Sequence, residues 1–430
     1  MSLRARVMSA VARRYLGRSG RLSFDTSKLR LLPDGVLMPL QRTGLDPVAA
    51  LGRARERTPV VRVPMPFGPP LWLVTGYPQA KTVLADGDGF STNFARLLGD
   101  VPGLTAGPGG LGFADPPVHT RLRRLLTPEF TMRRLARLTP LIRDIVDVQL
   151  DAMAGGGPVD LVRDFALPIP SLVICELLGV PYADRERFQR LAMDRFDVFS
   201  GLSLSFGAIS ESLQYFREVV RRQRRTPGDG LIGMILAEHG DEIDDEELAG
   251  LADGVLTGGF ETTASMLALG SLVLLTDAGA FRRIHDDDAA AGPFVEELLR
   301  HLSVVQVAFP RIARRDVTIA GVDITAGDVV IVSLAGANRD RALADGLDVI
   351  DSARSPLSHL AFGHGIHRCI GAELARMELR AAYPALVRRF PRMRLAVDVE
   401  RLNFRKASIV YGIDNLPVHV DLLDGLPAVA

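Results

Sequence analysis

The segment from Phe362 to Gly371, Phe-Gly-His-Gly-Ile-His-Arg-Cys-Ile-Gly, constrains the fold of this chain more than any other. Apolar residues follow its cysteine at the spacing of one helix face, namely Ile370, Leu374, Met377 and Ala381. The spacing predicts a helix that begins next to Cys369, where the helix dipole and free backbone N–H groups favour a thiolate. Gly365 and Gly371 would let the backbone approach a flat ligand closely and point N–H groups at the sulfur. A thiolate in such a place is a good axial ligand for haem iron.

Two other interpretations fit the same segment. A cysteine that follows a glycine turn is most often a buried structural thiol, which is also what the apolar surroundings of Cys175 predict. His364, His367 and Cys369 together suggest zinc, although no fourth ligand lies at zinc-finger spacing. Because Cys175 and Cys369 are the only cysteines, the chain has no disulfide framework.

Hydrophobic periodicity predicts a mainly α-helical chain with a small β-rich region. Residues 60–63 and 71–75 flank a Gly-Pro-Pro turn and predict a hairpin, and residues 317–334 predict a second group of strands. A long apolar helix is expected over 248–275, because the acidic run that precedes it suits a helix N-terminus. The glycine- and proline-rich segment 93–113 predicts a long binding loop or lid.

Charge and apolar content exclude two classes of function. The chain has 51 basic and 51 acidic residues and a formal net charge of zero, so it lacks the attraction that nucleic acid binding needs. The apolar run at the N-terminus is too short and too often interrupted for a signal peptide or a membrane span, which predicts a cytoplasmic protein. Because no low-complexity linker divides the chain, we expect one domain over 1–430 with a short N-terminal extension over about 1–30.

The predicted long helix contains two adjacent glycines, Gly258 and Gly259. Each costs about 1 kcal/mol in a helix interior relative to alanine. A helix tolerates that cost where another group must lie against its backbone. The hydroxyl of Thr262 is placed to donate to the carbonyl of Gly258 and so to loosen the helix. From these residues alone, a close helix–helix contact explains the glycines better than a functional site does.

Charged residues recur at helical spacing in two further places. Glu297 and Arg300 are three apart and share a helix face, as in an ordinary surface ion pair. His119 and Arg123 are four apart and share a face that suits the binding of a carboxylate.

Four residues of the cysteine segment match the Phe-x-x-Gly-x-x-x-Cys-x-Gly signature of the cytochrome P-450 family: Phe362, Gly365, Cys369 and Gly371. The chain resembles this family also in the order of its other motifs, at 119–123, 258–263 and 297–300, so that the resemblance spans roughly residues 119–371. It implies the cytochrome P-450 fold, a triangular prism that holds haem b between the long central helix and the helix of the cysteine loop.

The resemblance also implies roles for individual residues. Cys369 is implied to be the ligand of the haem iron, and Glu261 and Thr262 the acid–alcohol pair that delivers protons for oxygen activation. His364 falls at a variable position of the signature and has no implied role. Four residues are implied to bind the haem propionates: His119, Arg123, Arg311 and His367.

In the family, a pair such as Glu297 and Arg300 braces the core next to the haem, and a downstream arginine completes it. The comparable stretch here has Val349 where that arginine is expected, and Arg354 is the nearest substitute. We therefore expect this network to depart from the family pattern.

The function implied by the resemblance is that of a monooxygenase that activates O2 and hydroxylates or epoxidises a small hydrophobic metabolite of polyketide, terpenoid or fatty-acyl type. The chain carries no recognisable flavin or nicotinamide region, so its electrons are expected from a separate ferredoxin and ferredoxin reductase. Three alternatives stay open: a peroxide-driven oxygenase, an oxidative coupling or rearrangement enzyme, and a haem protein without turnover.

The resemblance further suggests which residues contact substrate and partner. The pocket is expected to be mostly apolar, with Gln306 and Ser408 as polar handles. Its expected lining is Phe94, Leu97, Leu98, Val101, Leu104, Val255, Gly259 and residues 305–309 and 408–410. A basic patch on the cysteine side would suit an acidic ferredoxin. Its expected members are Arg121, Arg124, Arg133, Arg134, Arg376 and Arg380.

Overall fold

Helices form most of the chain, and the strands are few and short. The computed structural model describes residues 37–65, 68–93, 111–155, 158–180, 184, 206–406 and 408–420. The α-helices, in chain order, are α1 (Ala49–Arg57), α2 (Tyr77–Ala85), α3 (Val118–Leu126), α4 (Met132–Leu135), α5 (Thr139–Ala154), α6 (Pro168–Leu178), α7 (Phe206–Arg225), α8 (Leu231–His239), α9 (Asp245–Thr276), α10 (Ala278–Asp286), α11 (Ala291–Leu302), α12 (Leu334–Ala337) and α13 (Ala372–Arg389). The strands are β1 (Val60–Val63), β2 (Leu71–Val74), β3 (Phe90–Ser91), β4 (Val159–Asp160), β5 (Arg311–Ala313), β6 (Val317–Ile319), β7 (Val322–Ile324), β8 (Val329–Val332), β9 (Arg394–Leu395) and β10 (Pro417–His419).

The long predicted helix is α9, and its N-terminus lies where the acidic residues place it. The side chain of Asp244 accepts a hydrogen bond from the backbone N–H of Glu247 at 2.8 Å, and acidic residues fill the first turn. By length and composition α9 is apolar enough to span a membrane, but 78% of its most apolar 18-residue window is buried inside the protein. It is therefore the core helix of the fold, and α6, α7, α10, α11 and α13 pack against it.

The β-rich region is built from both predicted groups of strands. β1 and β2 form the expected antiparallel hairpin, and β2 pairs in parallel with β8, which belongs to the second group. The resulting five-stranded sheet has the order β1-β2-β8-β5-β3. Strand β5 carries Arg311 into this sheet next to β8, so the sheet fixes the position of one residue with an expected role in the site.

Two of the expectations concern residues for which no structure is described. The N-terminal extension expected over about 1–30 lies outside the described residues. So do residues 94–110, which make up most of the expected binding loop.

The network around Glu297 and Arg300 is complete, and the expectation that it departs from the family pattern at Val349 is wrong. Both side chains are buried, and Arg300 donates two hydrogen bonds of 2.7 Å to the Glu297 carboxylate. Arg354 completes the set, because its Nε donates to Glu297 Oε1 at 3.1 Å. Val349 is exposed, and only its carbonyl takes part, as an acceptor for Arg300.

The pairing keeps the buried carboxylate of Glu297 charged. Desolvation raises its pKa, but the hydrogen bonds and charges of Arg300 and Arg354 and the N–H of Asp351 lower that pKa more. The pair is therefore a fully bonded buried network rather than the surface ion pair that its spacing alone suggested.

We expect Arg354→Met to lower the free energy of unfolding of the holoprotein by about 1–3 kcal/mol, since it removes one of the charged partners of a buried carboxylate. Arg300→Met should cost about 3–5 kcal/mol, because it breaks the fully buried pair. Urea denaturation measures both. The matched control is Arg388→Met, which removes an arginine that bonds at the surface to Asp288 and to the carbonyl of His285. If Arg354→Met unfolds like the control, Arg354 has no part in the network.

Candidate functional site

Cys369 lies at the end of a short loop that two glycines shape. Gly363 and Gly365 have φ angles of +69° and +73°, which favour glycine. A Cβ atom on Gly365 would lie 2.2 Å from the carbonyl oxygen of Leu84, so the loop packs directly on the end of α2. The backbone N–H of Cys369 closes the loop by donating to the carbonyl of Phe362 at 2.9 Å. Gly365 thus makes a close approach to α2.

The predicted helix after the cysteine is α13, which begins at Ala372. Cys369 is exposed, yet it lies deep enough among protein atoms for desolvation to raise the pKa of its thiol. The N–H of Gly371 hydrogen bonds to the sulfur, and this bond and the charges of Arg123, Arg368 and Arg376 lower the pKa by less than desolvation raises it. Iron would remove the proton from a coordinated thiol in any case, as a bound cation does.

The surroundings of the two adjacent glycines of α9 differ, so each glycine has its own structural explanation. A Cβ atom on Gly259 would lie 2.4 Å from Cδ1 of Ile174, so this glycine allows α6 to pack closely, as the structural interpretation held. Among the residues with described structure, a Cβ atom on Gly258 would meet nothing within 4 Å beyond its own helix, so no described side chain covers the backbone there. The hydroxyl of Thr262 donates to the carbonyl of Gly258 at 2.7 Å, which confirms the predicted bond.

Glu261 lies beside Thr262 in the chain but is buried, with 5% of its surface exposed. Desolvation raises the pKa of its carboxyl to about 7, against the lowering effect of Arg405. The two side chains approach to 3.6 Å, between Glu261 Oε1 and Arg405 Nη1. Sequence reasoning missed Arg405, because it lies in no recognisable motif and is distant from Glu261 in the chain.

The four residues implied to bind propionates form one cluster. The rings of His119 and His367 lie 4.4 Å apart between centroids, and Arg311 and Arg123 both act on His367. Burial, Arg311 and His119 lower the pKa of His367 to about 3, so its ring is neutral near pH 7. Burial also lowers the pKa of Arg311 to about 10 and that of Arg123 by less.

This cluster presents donors without a matching carboxylate of its own among the described residues. His119 is 2% exposed, and its Nε2 has no hydrogen-bond partner there. The carboxylate that acts on the cluster is Asp115, and it is already bonded to Ser91, to the N–H of Thr92 and to Arg314 at 2.6 Å. Desolvated guanidinium groups and an orphaned imidazole nitrogen suit an anionic ligand with carboxylates, as haem b has.

The expected polar handles of the pocket are used inside the protein. Gln306 is buried and donates from Nε2 to the carbonyl of Ser408 at 2.7 Å, and the hydroxyl of Ser408 donates to the carbonyl of Val410 at 2.7 Å. The Gln306 bond joins residues 305–309 to residues 408–410, the Ser408 bond lies within its own segment, and the amide oxygen of Gln306 has no partner among the described residues. The expected lining residues at 94–104 lie outside the described residues.

The accessible side chains of these segments are apolar. Phe309 and Ile409 are about half exposed, at 50% and 51%. Phe309 contacts Phe113 edge to face, with ring centroids 4.8 Å apart.

The expected basic patch is largely neutralised by ion pairs. Arg121 pairs with Glu247, Arg124 with Glu242, Arg134 with Glu129, and Arg376 with Glu296, while Arg380 lies 3.5 Å from Glu296. Arg133 is exposed. Lys81 and Arg368, which are not members of the expected patch, add positive charge next to the cysteine loop, since both act on His364.

The zinc interpretation receives no support from the part of the chain with described structure. It contains no group of three or more His, Cys, Asp or Glu residues that could hold a metal ion. Cys175 is fully buried, as its apolar surroundings predicted.

Comparisons with known proteins place this site in a family. The family described as cytochrome P450 matches residues 204–343 and 345–411. Cytochrome P450 165C4 of Amycolatopsis orientalis is 40% identical over 86% of this chain and 93% of its own. The mycinamicin IV hydroxylase/epoxidase of Micromonospora griseorubida is 39% identical over 87% of this chain and 96% of its own.

Comparison with solved structures indicates the same family. OxyC, described as a cytochrome P450 implicated in an oxidative C–C coupling reaction during vancomycin biosynthesis, superposes with a TM-score of 0.80. It is 39% identical and covers 90% of this chain and 97% of its own. The chain therefore belongs to the cytochrome P450 family of haem-containing monooxygenases.

Proposed function

We propose that this protein takes electrons from a separate ferredoxin and ferredoxin reductase in the cytoplasm and hydroxylates or epoxidises a small hydrophobic metabolite. The observation that carries the proposal is the arrangement on α9, where the hydroxyl of Thr262 lies over the bare backbone at Gly258 and the buried acid Glu261 stands next to it. Such a pair suits a reaction that consumes protons.

The residues around Cys369 fit haem b. Cys369 would ligate the iron, and His119, Arg123, Arg311 and His367 would hold the propionates. When bound, the haem supplies the activation of O2, which a thiolate ligand favours by donating electron density.

The protein's own part in the reaction is to hold substrate and to supply protons. A carboxyl with a pKa of about 7 both binds and releases a proton near neutral pH, as Glu261 must if it works repeatedly. The hydroxyl of Thr262 can both accept and donate a proton, so it is suited to pass protons from Glu261 into the cleft.

Oxidative coupling is a second candidate, and a specific observation supports it. A solved relative at 39% identity is described as implicated in an oxidative C–C coupling reaction. A coupling reaction joins two groups of one substrate without adding an oxygen atom to the product. The mass of the product therefore separates the two candidates.

We expect Cys369→Ser to lose the absorption typical of a thiolate-bound ferrous–CO complex, because a neutral hydroxyl does not replace a thiolate as an iron ligand. The matched control is Cys175→Ala, which removes the other cysteine and should keep that spectrum. Absorbance of the reduced, CO-treated proteins measures both. Normal thiolate-type absorption in Cys369→Ser would contradict the assignment of the ligand.

We expect Thr262→Ala to lower the amount of product formed per electron by about tenfold or more, with hydrogen peroxide released instead, because proton delivery contributes on this scale. The substrate for the assay comes from a screen of hydrophobic metabolites for a change in haem spin state. The matched control is Thr276→Ala, since Thr276 makes the same bond one turn back on α9, to Leu272 at 2.8 Å. Unchanged product yield in Thr262→Ala would favour the coupling or peroxide-driven alternatives.

For the electron donor, we expect Lys81→Glu to raise the ferredoxin concentration for half-maximal reduction by about three- to tenfold at low ionic strength. The effect should shrink as salt increases, because salt screens exposed charges. Stopped-flow reduction of the haem measures it. Arg388→Glu is the control, because Arg388 lies on the last turn of α13, about 24 Å along the helix from its start near Cys369. Equal effects of the two variants would place the docking surface elsewhere.

A further inference from the structure

Arg405 is the charged group that acts on the Glu261 carboxyl among the residues with described structure. Both side chains are buried, with 3% and 6% of their surfaces exposed. Glu261 Oε1 lies 3.6 Å from Arg405 Nη1 and makes no hydrogen bond to a described residue. Charge, rather than a direct hydrogen bond, therefore couples Arg405 to the acid.

The guanidinium of Arg405 is held by hydrogen bonds to its own segment. Its Nε donates to Asp414 Oδ1 at 3.2 Å and its Nη2 to the carbonyl of Ile413 at 3.3 Å. Its backbone N–H donates to the carbonyl of Gly412 at 2.9 Å, and Phe404 bridges to Ile413. Residues 404–406 and 408–414 thus form a turned-back segment, here called the C-terminal hairpin, that holds the guanidinium by two hydrogen bonds and the backbone of Arg405 by a third.

The C-terminal hairpin touches α9 one turn beyond Glu261. A Cβ atom on Gly412 would lie 2.8 Å from the hydroxyl oxygen of Ser265 and 3.1 Å from Arg405 Nη1. Ser265 is four residues after Glu261 and so lies on the same helix face. Glycine at 412 is what lets the hairpin bring Arg405 this close to the helix.

We propose that Arg405 is a positioning residue for Glu261, which the C-terminal hairpin holds against α9 so that the acid keeps one buried orientation and stays ionisable. Arg405 is not itself a proton carrier, because a guanidinium does not deprotonate in proteins. This inference rests on the proposed role of Glu261 in proton delivery.

Two opposed effects, desolvation and the charge of Arg405, set the pKa of Glu261. Desolvation favours the neutral form of a buried carboxyl, and a neighbouring cation favours the charged form. With Arg405 in place, the pKa of Glu261 is about 7, which lies near a neutral working pH. Without the cation only desolvation would remain, and the carboxyl would stay protonated well above neutral pH.

The test is a pH titration of the Glu261 carboxyl in the purified holoprotein, read from the infrared C=O band of the protonated acid. The band is assigned by its loss in Glu261→Gln. We expect Arg405→Met to move the midpoint upward by about one pH unit or more, since the positive charge is lost. Arg405→Lys should restore most of the midpoint, and Asp414→Asn should move it less than Arg405→Met. Arg388→Met is the matched control and should not move it.

Two results keep this inference apart from the proposed function. If Arg405→Met folds, binds haem and titrates at the same midpoint as the unmodified protein, Arg405 does not position Glu261. If Arg405→Met does not fold, Asp414→Asn carries the test, and an unchanged midpoint in Asp414→Asn overturns the inference. By contrast, if Glu261→Gln leaves the yield of product per electron unchanged, the role of Glu261 in proton delivery fails, whatever the infrared titration shows.

Discussion

The burial of α9 is the constraint on which the rest of the structure depends. A helix that is apolar around its whole circumference is stable in water only if other elements cover it on every side. Five helices provide that cover along α9. The functional cleft can therefore reach this helix only where packing is interrupted. Gly258 lies at such a place, because no described side chain covers its backbone. The hydroxyl of Thr262 donates to the carbonyl of Gly258 at this place.

Buried charged and polar groups occur in two different settings in this protein. Around Glu297 every partner is supplied by the protein, so that the carboxylate stays ionised and the network braces the core. In the cluster of Arg311 and His119, the buried Nε2 of His119 has no partner among the described residues. Such a group costs stability unless a ligand is bound, so the proposed binding of the haem propionates there would couple haem binding to folding.

Local patterns predicted the elements of the fold well. The acidic run marked the start of α9, and the turn residues marked the hairpin of β1 and β2, because both signals act within a few residues. The bond from Thr262 to Gly258 was also predictable, since helix geometry fixes residues four apart.

Contacts between distant segments were not predictable in this way. The network of Glu297 was expected to be interrupted at Val349, with Arg354 as the nearest substitute, and it is a loop conformation that no local rule specifies that brings Arg354 into place. The same holds for Arg405, whose position depends on how residues near the C-terminus fold back on α9. Gln306 and Ser408 were expected to face substrate, but the amide nitrogen of Gln306 donates to the carbonyl of Ser408 and the hydroxyl of Ser408 to the carbonyl of Val410.

That last contact limits how this enzyme can recognise its substrate. In the pocket expected from the family resemblance, the amide nitrogen of Gln306 and the hydroxyl of Ser408 are already bonded within the protein, and exposed side chains such as Phe309 and Ile409 are apolar. An apolar wall distinguishes ligands by shape, and one methylene is worth only about 1–3 kcal/mol there. Discrimination by hydrogen bonds is far stronger, since a mismatch leaves a buried polar group unpaired. We infer that the exposed side chains of these two segments select mainly the size and outline of a substrate, and that its functional groups are recognised elsewhere or by the amide oxygen of Gln306, which has no partner among the described residues.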